Sequence, residues 1–86
     1  MIGTKTIFLA QWDHKHGQDV SAHKTEKGAF DQCVVWMREC LNEWYAPDDE
    51  DHERYSQMSD DDLFESWTDI TGDREYMTVE AVQLHN

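Results

Sequence analysis

The stretch TEKGAFDQCVVWMRECLNEWY, residues 25–45, decides the fold. Phe30, Cys33, Val34, Met37, Cys40, Leu41 and Trp44 recur in it at spacings of three and four. That period puts them on one face of an α-helix, so the stretch predicts an amphipathic helix over about residues 26–45. Thr25 supplies the N-cap, and Glu26 places a carboxylate in the first turn, where the helix dipole favours it. Pro47 ends the run. Trp36 flanks the apolar stripe and Val35 falls off it, so Val35 is expected to face solvent. Phe30 and Trp44 are expected core positions, each costing about 3–5 kcal/mol on truncation to Ala.

A one-sided helix needs a surface to lie on, and its flanks provide one. Upstream, Thr4–Asp13 carries Ile7, Phe8, Leu9 and Trp12 and reads as a strand. His14–Gln18 breaks it, with Gly17 suited to the positive φ of a hairpin. Asp19–Lys24 forms a second strand, Val20 and Ala22 on one face, Ser21 and His23 on the other. Downstream, Asp48–Met58 reads as a polar, acidic connection. Ser59 caps a shorter helix whose first turn holds Asp60, Asp61 and Asp62, with Asp62 placed to reach back as in a capping box. Leu63, Phe64, Trp67 and Ile70 are its apolar face, and Gly72 stops it. Glu75–His85 alternates as a last strand, with Met77, Val79 and Ala81 in phase. Val82 and Leu84 break that phase, as at a bulge or frayed end. The order strand, strand, helix, helix, strand is an α+β fold: a three-stranded, mainly antiparallel sheet with helices on one face.

Eighty-six residues suffice for one domain, 1–86, with a marginal core. Little room is expected for a deep substrate pocket, which typically runs to about 300 Å³ or more. Cys33 and Cys40, two helical turns or roughly 10 Å apart, are out of disulfide reach. They read as buried reduced thiols, which suits the cytoplasm. No apolar run is long enough for a signal peptide or a membrane span.

The formal net charge is −12, and it is unevenly spread. Residues 1–45 hold five Lys or Arg against six Asp or Glu, a net of −1; residues 46–86 hold two Arg against thirteen acids, a net of −11. On the second helix Asp61, Glu65 and Asp69 fall at four-residue intervals, one stripe with Cβ atoms roughly 5–6 Å apart. The 100° step sets this stripe opposite the apolar face. Capping accounts for the three acids at a helix start; it does not account for thirteen. A row of carboxylates at this spacing resembles successive phosphates of a nucleic-acid strand and attracts a groove lined with Lys and Arg. The expected partner-binding residues are therefore Asp48, Asp49, Glu50 and Asp51 in the connection, Asp61, Glu65 and Asp69 on the helix, and Asp73 after it. Tyr45, Tyr55 and Tyr76 stand in or near this half, where aromatics suit a binding rim.

Other chemistries lack their residues. His14, His16 and His23 gather near the hairpin with Asp13 and Asp19, where imidazoles with a carboxylate suit zinc or nickel and make a metal-binding module a third reading, but their spacing matches no known metal motif. The run from Asp69 to Glu80 faintly echoes a calcium loop, yet Arg74 stands where that loop requires Gly. The cysteines lie on the apolar helix face, no serine sits in a nucleophile elbow, and no Gly-rich phosphate loop occurs. Catalysis and cofactors are not expected.

The small size, the acidity, the αβ pattern and the acid-rich helix 59–71 resemble small phage-encoded anti-defence proteins, of which anti-CRISPR proteins and anti-restriction DNA mimics are the best known. The segments Trp12–Val20 and Thr25–Ala29 are also similar to small phage proteins with no known activity. The resemblance carries no catalytic residues. It implies an inhibitor in the host cytoplasm, monomeric or homodimeric, that occupies the basic surface of a nucleic-acid-binding host protein such as a CRISPR effector, without touching nucleic acid or membrane. The alternative expectation is an accessory protein that joins a larger assembly through its aromatic or hairpin surface.

Overall fold

The computed structural model describes residues 4–85. Strands β1 (Thr4–His14) and β2 (Gly17–His23) precede helix α1 (Glu26–Trp44); helices α2 (Glu50–Ser56) and α3 (Asp60–Ile70) then lead to strand β3 (Tyr76–His85). The sheet order is β2-β1-β3, with both pairings antiparallel. This is the expected α+β layout with one addition: the acidic connection contains a helix. Asp49 caps α2 by accepting the Asp51 N–H at 2.8 Å, and Glu50, Asp51 and Glu53 fill its first turn. Seven residues with no buried side chain leave no apolar period to detect, so tertiary context and the cap decide this element.

The hairpin turns on Lys15 and His16, and Gly17 takes φ 131° directly after them. Alternation then assigns the two faces of the sheet. Phe8, Ala10 and Trp12 of β1, with Met77 and Val79 of β3, turn toward the helices and their core. From α1 this core takes Cys33, Val34, Met37, Cys40 and Leu41, and from α3 Leu63 and Trp67. The rings of Phe30 and Phe64 lie 5.3 Å apart and those of Trp44 and Trp67 5.6 Å apart, so aromatic contacts hold α3 toward both ends of α1. Arg38 Nη2 ties α1 to the joint before α3, donating to Met58 O at 2.9 Å and to Asp60 Oδ1 at 2.8 Å.

Two expectations need correction. Trp44 is not a core residue: it is 45 % exposed and covers Trp67 from outside. Its position closes the apolar stripe, but at the last turn of α1 it borders an open cleft shared with Trp12 and Ile70. Val35 is exposed as expected. Nor does β3 bulge at Val82. Its pairing with β1 runs unbroken from Asp13↔Tyr76 to Thr4↔His85. Val82 and Leu84 sit on the second face of the same strand, beside Ile7 and Lys5. The broken phase reflects a strand apolar on both faces. β2 meets β1 only from Phe8 onward, so Thr4–Ile7 and Val82–His85 extend as a two-stranded ribbon. The molecule measures 57 × 25 × 17 Å, with a radius of gyration of 15.0 Å against about 12 Å for a compact chain of this length. Among the described residues, no helix is long and apolar enough to cross a membrane.

Candidate functional site

The acidic surface is built on α3. Ser59 Oγ accepts the Asp62 N–H at 3.2 Å and starts the helix. Leu63 and Trp67 are then fully buried, which fixes the rotation of everything between them. Asp61, Glu65 and Asp69 point to solvent. None of the three carboxylates takes part in an ion pair among the described residues. Asp60 differs, since Arg38 holds it. The helix ends on Gly72 (φ 64°) and Asp73 (φ 61°), whose N–H donates to Thr68 O at 2.9 Å. Asp73 is exposed beyond the end of the stripe, in a left-handed conformation that Asp adopts more readily than most residues.

The other four expected partner-binding residues are of two kinds. Asp48 and Glu50 are exposed. Asp49 serves as the N-cap of α2, and Asp51 pairs with Arg54 at 2.9 Å, so each already has a structural task. Arg54 also stacks over Tyr55, its guanidinium carbon 4.8 Å from the ring centre, and Tyr55 meets Tyr45 at 5.7 Å. Those two tyrosines pack on each other and against the core, while Tyr76 remains exposed.

Two open clefts lie one at each end of α3. The first, about 710 Å³, lies between the α1 N-terminus, α3 and β3, with Glu26, Lys27 and Asp61 among its lining residues and Phe30 and Phe64 forming apolar walls. The second, about 750 Å³, is lined by Trp12, Trp44, His14, Lys15, Arg74 and Glu75, among others. Trp12 Nε1 donates to Glu75 at 2.7 Å, and the His14 ring packs 4.5 Å from Trp12. Sequence reading missed this second cleft because Lys15 and Arg74 belong to turns far apart in the chain. Nothing in the sequence marked it, since the period that places Trp44 on the apolar stripe gave no sign that Trp44 is exposed.

His14 in the hairpin and the two thiols are each held by their surroundings. His14 Nε2 lies 3.0 Å from Asp19 Oδ2, and its Nδ1 accepts the His16 N–H at 3.2 Å, so both ring nitrogens are engaged. Among the described residues no group of three or more His, Cys, Asp or Glu is arranged to hold a metal ion. Cys33 and Cys40 are buried and unpaired with each other. Burial pushes the Cys33 thiol up to about 11 and the Cys40 thiol up to about 12, the latter helped by Glu75, Glu43 and Glu39. Thiols held in the protonated form are poor nucleophiles.

No family model, curated protein or solved structure matches this chain.

Proposed function

We propose that this protein is an acidic binding protein that inhibits a nucleic-acid-binding host protein, such as a CRISPR effector, by occupying its basic surface. The observation that carries the reading is the α3 stripe. Asp61, Glu65 and Asp69 stand exposed in one row, free of ion pairs among the described residues, on a helix anchored by Leu63 and Trp67. A rigid row of carboxylates loses little entropy on meeting Lys and Arg side chains, and the surrounding field of the −11 half speeds encounter. Asp48, Glu50 and Asp73 extend the surface. Asp49 and Asp51 support it, since capping and pairing occupy them.

A second reading rests on the exposed Trp44 and the cleft it shares with Trp12 and the hairpin: an accessory protein that joins an assembly through this aromatic end. One experiment separates the two. A partner is captured from bacterial lysate at low salt and identified. Its binding is then measured for the parent, for Asp61→Asn/Glu65→Gln/Asp69→Asn and for Trp44→Ala, each at two salt concentrations. Mimicry predicts association slowed at least about tenfold in the triple variant, a flatter salt dependence, and a parent weakened by salt. Salt-insensitive binding that survives the triple change and is lost in Trp44→Ala would replace mimicry with the aromatic reading.

A further inference from the structure

The helices cover one face of the sheet, and the other face is bare. Alternation places Ile7 and Leu9 of β1, Val20 and Ala22 of β2, and Val82 and Leu84 of β3 on it. None of these six belongs to the core or packs against it, and Val20 is 51 % exposed. We propose that this outer face is the interface of a homodimer, two copies packing sheet against sheet.

Charge selects the occupant. Of the thirteen described residues whose side chains lie on this face, three are charged: Lys5, Asp13 and Glu80, a net of −1. The remaining −11 of the chain's −12 lies elsewhere. Two copies of so acidic a protein repel wherever their helices approach, and this face is where they meet with least cost. It is also self-complementary. Lys5 and Asp13 lie four residues to either side of Leu9 on the central strand. A twofold axis between the facing sheets, perpendicular to the strands and passing over Leu9, sets Lys5 of each copy over Asp13 of the other. The same axis passes over Glu80, the partner of Leu9 in β3, so the two Glu80 carboxylates face each other as the one unfavourable contact. Gln11 Nε2, donating to Glu80 Oε2 at 2.9 Å, moderates it.

The face is large enough. Strands of eleven, seven and ten residues, at about 3.3 Å per residue and about 4.8 Å between strands, give a plan area of roughly 400 Å² per copy. With side-chain relief, two faces bury on the order of 1,000 Å², the lower bound for a specific interface. The acidic helices of both copies point outward in this arrangement, so the dimer does not depend on the function proposed above and does not obstruct it.

Sedimentation of the purified chain from about 1 to about 200 µM, a range that brackets micromolar dissociation constants, tests the proposal. A concentration-dependent shift from monomer to dimer is expected. Leu9→Asp should weaken it at least about tenfold with an unchanged circular dichroism spectrum, since Leu9 lies outside the core. Lys5→Glu and Asp13→Lys should each weaken it, their combination should restore it, and Glu80→Gln should tighten it. If Leu9→Asp does not fold, the reversal pair carries the test. A parent that stays monomeric throughout overturns the proposal. So does a dimer that survives Leu9→Asp, which would point to pairing along the free β2 or β3 edge, and so does a double reversal no better than either single change.

Discussion

Replacing Trp67 by Phe should leave the protein about as stable as the parent, although Trp67 is the largest fully buried side chain. An indole buries about 200 Å² of apolar surface, worth about 5 kcal/mol at 25 cal/mol per Å² and about 3–4.5 kcal/mol against a realistically compact denatured chain. Trp67→Ala forfeits this and leaves a cavity, for a loss of about 3–5 kcal/mol. The global stability of 86 residues is only about 4–13 kcal/mol. Phe keeps most of the ring, giving up about 50 Å² or about 1 kcal/mol. It also removes the indole N–H, which is buried with no hydrogen-bond partner among the described residues. Releasing an unsatisfied buried donor returns about 1–3 kcal/mol. That gain offsets the lost area together with the small cavity Phe leaves, so Trp67→Phe should fall within about 1 kcal/mol of the parent. Trp44→Ala removes a ring only a little more than half buried and should cost about 2 kcal/mol. The assay is urea unfolding followed by far-ultraviolet circular dichroism, with melting as a check, since 1 kcal/mol moves the midpoint by about 4–8 °C at this size. A Trp67→Phe loss of about 3 kcal/mol or more would refute the reasoning and imply that the indole N–H is satisfied.

Stability should fall in alkali: the folded-state thiols titrate at about 11 and about 12 against 9.0 for an exposed thiol, so the stabilisation is complete below pH 9 and fades as pH rises through that window. Lys27 and Tyr45 are also raised and act in the same direction. Denaturant midpoints at pH 8 and pH 10.5 should show the loss, and Cys40→Ala should flatten it; a rise would contradict the burial argument. Arg38→Ala breaks two bonds from one guanidinium nitrogen, one of them a partly exposed ion pair, and should cost about 1–2 kcal/mol. Faster hydrogen exchange at Ser59–Asp62 is the accompanying sign, and unchanged exchange there would mean that the joint before α3 is held by other contacts.

Local rules were enough wherever one residue could satisfy its own neighbourhood. Thr25 and Ser59 cap the helices expected of them, Gly17 and Gly72 take positive φ, and the three-and-four spacing of Cys33, Met37, Cys40 and Leu41 is buried as a set. Those features, with the alternation in β1 and β3, determined the α+β layout, and the 100° step also put Asp61, Glu65 and Asp69 outside. Helix α2 was not legible, because a seven-residue helix without a buried side chain leaves no periodic trace.

Which apolar residues are covered was decided by the tertiary structure. Trp44 satisfies the helix period as well as Leu41 does, yet it is half exposed because it stacks on the outer side of Trp67 at the mouth of an open cleft. Ile7 and Val82 are as β-favouring as Phe8 and Val79, and they face away from the helices. Period identifies the face on which a side chain lies. Whether anything packs on that face depends on contacts between residues far apart in the chain, which no local pattern encodes. The same is true of charge: the sequence by itself determined that the second half is acidic, and the fold decided that Arg38 holds Asp60, Arg54 holds Asp51, and the α3 stripe is left open to a partner.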